Sequence, residues 1–134
     1  TLLEHKRGSI DSTQYFAKGN GRITASSFTN SIVLNVKMAP GWHINSNKPK
    51  QDYLIPTKLS SRERLSMTVN YPDAIDQKMG FSQSSLSLFE ESFQISGEIK
   101  SATELGGLVE LNLQACNDKL CLLPESLTFH LPSE

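Results

Sequence analysis

The sequence predicts an all-β protein folded as an antiparallel β-sandwich. Two observations carry that expectation. Apolar and polar residues alternate with a period of two in one stretch after another, and Gly, Pro, Asn and Ser clusters separate the stretches. No window holds a helical stripe; Ser60 to Ser66 has room for one turn at most. Roughly seven to nine short strands between turn signals is the density of a sandwich.

Taken in order, residues 1–9 have no period and read as a lead-in arm, so residues 1–24 are expected to hold that arm and the first strand. Tyr15-Phe16-Ala17 reads as a short strand before the Gly19-Asn20-Gly21 turn. Ser31–Met38 is the first strong strand, with Ile32, Leu34, Val36 and Met38 on one face; Ala39-Pro40-Gly41 ends it. Alternation then places Trp42 and Ile44 inward, in the core, and His43 and Asn45 outward. Tyr53–Leu59 reads as an edge or bulged strand, because Pro56 has no N–H for a ladder. Leu65, Met67, Val69 and Tyr71 alternate in another. Pro72 to Ser85 is the longest irregular segment. Leu86–Phe89 is a short strand, and Phe93–Ile95 starts one that Gly97 interrupts before Ile99.

The last part of the chain is the most informative. Val109, Leu111, Leu113 and Ala115 share one face, as do Leu127, Phe129 and Leu131, so two strands flank the segment Cys116-Asn117-Asp118-Lys119-Leu120-Cys121. Asn-Asp-Lys is turn-type sequence, which puts both sulfurs at the mouth of a hairpin where a disulfide can close. These are the sequence's 2 cysteines. A staple across so short a loop stabilises by only about 2 kcal/mol, against ~4.7 for a loop of about 100 residues. A short loop favours a bond that opens and closes with little rearrangement. On spacing alone, staple and redox pair both stay open. Metal binding is the weaker reading, since zinc sites want four ligands and tighter cysteine pairs.

The chain of 134 residues suffices for one domain with a true core, and its 37% apolar and 20% charged content is that of a globular protein. A net charge of −1 argues against nucleic acid or an anionic membrane as partner. No apolar run approaches the ~18 residues of a spanning helix. The chain begins at Thr1 without Met, as a mature form with its leader removed would. Two cysteines suit an oxidising compartment and the cytosol alike.

Three stretches together resemble one family: Gly41-Trp42-His43-Ile44-Asn45-Ser46-Asn47-Lys48-Pro49, then Asp52-Tyr53-Leu54-Ile55-Pro56-Thr57, then Gln114-Ala115-Cys116 through Cys121-Leu122-Leu123-Pro124-Glu125. They are similar to the N-terminal periplasmic domain of the thiol:disulfide interchange protein DsbD. The resemblance spans roughly residues 25–131 and is most specific at the cysteines. It implies an immunoglobulin-like sandwich over residues 1–134, located in the periplasm, whose cysteine pair Cys116 and Cys121 is catalytic. It implies a thiol:disulfide oxidoreductase of the protein-disulfide reductase type, one domain of an electron relay that needs no cofactor. The expected partners are a thioredoxin-like electron-donor domain and periplasmic disulfide-exchange proteins, with no nucleic acid and no small-molecule ligand. The membrane enters only through a transmembrane domain outside this sequence, so the chain is expected to be an excised domain or a stand-alone relative. In the family the second cysteine forms the mixed disulfide, which gives that role to Cys121 and the resolving role to Cys116. Two departures stand out. The cysteines of the best-known members are one residue further apart, and aromatic residues occupy the positions matching His43 and Asn45.

Four further residues are expected to shape the site. His43 either lowers a thiol pKa or relays a proton, or is a solvent-facing strand histidine; Asn45 shares its face. Phe81, with Met79 as the alternative, is the candidate cap over the disulfide: it lies in the long irregular stretch beside Gly80, where the family carries an aromatic-tipped loop. Lys119 has the charge to stabilise a thiolate, but Asp118 opposes it; His5 and His130 read as surface residues. The rival functions are a non-catalytic β-sandwich binding module with a structural disulfide, and a metal carrier using both cysteines and His43.

Overall fold

Three antiparallel sheets account for almost all of the regular structure. The computed structural model describes residues 9–78, 84–100 and 107–132. The largest sheet has five strands: β1 (Ser9–Phe16), β2 (Gly21–Phe28), β3 (Ser31–Met38), β6 (Met67–Asn70) and β9 (Ser92–Ile99), in the order β1-β2-β3-β9-β6. The expected short strand at Tyr15 is the end of the longer β1, and residues 1–8 lie outside the described residues. A single 3-10 turn, Ala17–Gly19, joins β1 to β2. The next residues leave no room at Gly21: an added Cβ there would come within 2.3 Å of the Phe16 ring, which folds over this position.

Facing this sheet is one of three strands, β5 (Lys58–Ser61), β10 (Gly107–Leu113) and β12 (Glu125–Leu131), in the order β12-β10-β5. The two sheets enclose one core. Ile23, Leu34, Val36 and Ile95 come from the first, and Leu59, Val109, Leu111 and Phe129 from the second, all buried. This is the immunoglobulin-like sandwich that the alternation and the resemblance both imply.

The third sheet closes one end. It contains β4 (His43–Asn45), β7 (Ile75–Lys78), β8 (Ser85–Glu90) and β11 (Ala115–Cys116), in the order β11-β4-β8-β7. One of its faces, carrying Ile44, Phe89 and Ala115, belongs to the main core. The segment 46–57 folds back along this sheet: Thr57 N–H donates to Ser46 O (3.1 Å), and Leu54 packs with Leu86 and Leu88 in a second small cluster.

Four expectations are corrected. Tyr53–Leu59 is not one strand; regular pairing starts only at Lys58, and side chains take over at Ile55, whose N–H donates to Gln114 Oε1 and whose carbonyl accepts from Asn45 Nδ2. Gly97 does not interrupt β9. The strand runs through it because a Cβ there would meet Met67 Cε at 2.7 Å and Leu59 Cδ2 at 3.0 Å, so glycine is what lets the neighbours close over the ladder. The stretch 72–85 is not wholly irregular: it contains β7, an exposed edge strand whose surroundings impose no apolar alternation. The strand ending at Ala115 stops at Leu113, and Ala115–Cys116 crosses to the third sheet.

Candidate functional site

The site begins where the chain changes sheets. β10 and β12 pair from Gly107↔Leu131 to Leu113↔Glu125, so they form the expected hairpin, and the cysteine segment is its long connection. Gln114 sits at the switch. Its Oε1 accepts from Asn45 Nδ2 and from Ile55 N–H (3.4 Å each), and its Nε2 donates to Leu122 O at 3.3 Å. One side chain thereby ties both ends of the cysteine loop to the third sheet.

Inside the loop, local hydrogen bonds bring the sulfurs together. Asn117 Oδ1 accepts from the N–H groups of Lys119 (2.8 Å) and Leu120 (2.9 Å), an Asx turn that the Asn-Asp-Lys sequence encodes. Asn117 N–H donates to Leu120 O at 2.9 Å and Leu122 N–H to Ala115 O at 2.8 Å. The Cα atoms of Cys116 and Cys121 are 4.0 Å apart and their sulfurs are bonded. The two ends of the bond differ in access. Cys116 is 0% exposed, whereas Cys121 is exposed.

A groove of about 450 Å³ runs beside Cys121, lined by Leu122, Leu123 and Pro124 with Lys18 and Glu125 at its edge. Glu125 Oε2 accepts from Ala17 N–H at 2.9 Å, which anchors the 3-10 turn bearing Lys18 against the loop. Leu123 is 85% exposed and Leu120 49%. The sequence reading gave this apolar rim no role, although Leu122-Leu123-Pro124 lay within the quoted motif; Leu-Leu-Pro after a strand carries no signal distinguishing a rim from a core.

His43 and Asn45 do point away from the main core, as alternation predicts, but not into solvent. Both are buried, and over Asn45 the 46–57 segment supplies a layer that the sequence pattern does not reveal. Asn45 Nδ2 donates to Ile55 O at 2.9 Å, and Thr57 Oγ1 donates to Asn45 O at 2.6 Å. Asn45 Oδ1 and His43 Nε2 are buried without a hydrogen-bond partner among the described residues. Burial lowers the His43 pKa from 6.5 to about 4, so its ring is neutral at pH 7. The register places His43 directly opposite Cys116 on one side and Glu90 on the other. Glu90 is a residue the sequence reading missed; only strand pairing brings it to this row. Met79 and Phe81 lie outside the described residues, as does His5, and His130 is exposed. Among the described residues, no group of three or more His, Cys, Asp or Glu side chains is placed to hold a metal ion.

Comparison with known proteins now bears on this geometry. The sequence matches the family described as thiol:disulfide interchange protein DsbD, N-terminal, over residues 16–133. The chain belongs to that family. It is therefore a thiol–disulfide interchange domain, and Cys116–Cys121 is its disulfide. Solved structures that share the fold include two N-terminal domains. The N-terminal periplasmic domain of ScsB from Proteus mirabilis superposes with a TM-score of 0.75 at 16% identity, covering 92% of this chain and 51% of that one. The reduced N-terminal domain of DsbD from Neisseria meningitidis gives a TM-score of 0.63 at 9% identity, covering 95% and 86%. This chain thus spans about half the length of the ScsB chain. No curated protein matches the sequence significantly. No helix among the described residues is long and apolar enough to cross a membrane.

Proposed function

We propose that this domain relays electron pairs in the periplasm, taking them from a thioredoxin-like donor and passing them to partner disulfide proteins through Cys116 and Cys121. The observation that carries the reading is the asymmetry of the bond: one cysteine is exposed beside an apolar groove and the other is fully buried. A staple has no need of an exposed end, whereas exchange requires one sulfur that a partner can reach and one that it cannot. The family membership supports the same reading, and residues 1–134 then form one interchange domain.

Loading starts when a donor thiolate attacks Cys121 Sγ. The Cys116–Cys121 bond breaks, and its electron pair stays on Cys116 Sγ, which takes a proton. A second donor thiolate then displaces Cys121, and the donor leaves as a disulfide. Delivery runs in reverse. The Cys121 thiolate attacks the partner's disulfide and releases one partner thiolate. Cys116 attacks Cys121 Sγ in the mixed disulfide, restores the intramolecular bond and releases the second partner thiolate. Two electrons have then passed to the partner. The exposed Leu120 and Leu123 give the partner an apolar surface to rest on while the sulfurs react.

Equilibration with a redox buffer tests this. Structural disulfides of secreted proteins typically lie below about −300 mV, and the pair is expected at a less negative potential. A value well below that limit, together with no exchange against a thioredoxin-like protein, leaves a structural staple in a non-catalytic module.

A further inference from the structure

We propose that His43 is the proton acceptor for Cys116, carrying away the thiol proton when Cys116 resolves the mixed disulfide and returning it when the disulfide is opened. The proposal rests on the redox reading of the cysteine pair and assigns a step within it.

The need for such a group follows from burial. The nucleophile in exchange is the thiolate, and a thiol in apolar surroundings has a raised pKa. Cys116 is 0% exposed, so water does not reach it to take the proton. The strand register sets one titratable residue opposite it. His43 and Cys116 are cross-strand partners in the β4–β11 pair, and such partners have Cβ atoms about 4.5–5.5 Å apart on the same face of the sheet. His43 is 1% exposed and its Nε2 has no partner among the described residues. An unpartnered buried nitrogen costs free energy, and a disulfide sulfur has no proton to offer it. Reduction gives Cys116 an S–H, which is the donor that Nε2 lacks in the oxidised state.

The step balances as follows. The proton of Cys116 passes to His43, and Cys116 Sγ attacks Cys121 Sγ. The Cys116–Cys121 bond forms, the bond from Cys121 to the partner breaks, and its electron pair leaves on the partner's sulfur. The imidazolium then gives its proton to the departing partner thiolate. The low pKa of the ring belongs to the oxidised state, where its neighbour carries no charge; a thiolate beside it raises the ring's basicity. Glu90 faces His43 from β8 in the strand register. Gln77 Nε2, with its amide oriented to donate, lies 3.2 and 3.0 Å from the two Glu90 oxygens and holds that carboxylate. The other charged groups on the flanking segments, Glu91, Asp118, Lys119, Lys48, Lys50 and Asp52, are exposed.

Reaction of the reduced domain with an aromatic disulfide whose released thiol is coloured separates the two steps, since attack by Cys121 and resolution by Cys116 each release one equivalent. His43→Gln is expected to leave the first phase unchanged and to slow the second about a hundredfold at pH 7, the usual scale of general-base assistance. The deficit is expected to shrink as pH rises and Cys116 ionises unaided. Equal slowing of both phases, or an unchanged second phase, overturns the assignment. A wild-type domain that releases no second equivalent overturns the redox reading instead. Should His43→Gln fail to fold, Cys121→Ala retains His43 beside a free Cys116 thiol. Ionisation of that thiol is expected to move the His43 ring resonances; silence there also overturns the proposal.

Discussion

The main core and the disulfide end are buried equally well but by different chemistry. Between the two large sheets, Ile23, Leu34, Ile95, Val109 and Leu111 are all at 0% exposure and apolar. In the third sheet and the segment bonded to it, the buried residues include His43, Asn45, Ser46, Thr57 and Ser87. Ser46 and Ser87 satisfy each other at 2.9 Å, and Thr57 is held by Asn45 O, yet among the described residues His43 Nε2 and Asn45 Oδ1 have no partner. Apolar burial is the dominant stabilising term in folding, while buried polar groups cost free energy unless paired. The sandwich core is thus built for stability, and the disulfide end accepts a cost to keep polar groups beside a sulfur.

The sharpest way to break that comparison is at the sulfurs. Cys121→Ala is expected to abolish exchange, and Cys116→Ala to accumulate a covalent adduct with a thioredoxin-like partner, visible on a non-reducing gel. The opposite pattern reverses the two roles. Leu111→Ala tests the other region. Removing this fully buried side chain is expected to destabilise by about 2–5 kcal/mol in denaturant unfolding, with the redox potential of the pair unaltered. A large change in potential would mean that the two regions are coupled.

The polar end has its own signature in pH. His43 titrates near 6.5 when unfolded and at about 4 when folded, so between those values the unfolded chain binds more protons. Stability contributed by the neutral ring is fully present above about pH 6.5 and is lost as pH falls toward 4, by about 3 kcal/mol in all. Urea titrations across that window are expected to show the slope in the wild type and a shallower one in His43→Phe. An equal slope in both places the acid sensitivity elsewhere. The smallest effect is expected at Asn117→Ala, which removes the acceptor for two N–H groups in an exposed loop and should cost about 1 kcal/mol, read as a shift in the urea midpoint.

How far the sequence could be read depended on how local each cause was. Ser31–Met38 has its period of two dictated by one buried face, and β3 has those same ends. The Asx turn at Asn117 is fixed within three residues, so the closure of Cys116 onto Cys121 was also legible. β7 was not: an exposed edge strand owes its existence to the backbone groups of β8, which leave no trace in its own composition.

The alternation Trp42-His43-Ile44-Asn45 determined by itself that His43 and Asn45 face away from Ile44, because successive strand residues point to opposite sides. It could not determine what lies on that side. At Asn45 the fold decided that when Thr57 bonded back to Ser46 and Asn45, turning an outward position into a buried one. The same is true of the row Cys116, His43 and Glu90. The sequence contains the three residues scattered over three segments, and only the register of β11, β4 and β8 makes them neighbours. Side-chain direction is set by covalent geometry one residue at a time, whereas burial and pairing depend on chain segments distant in sequence.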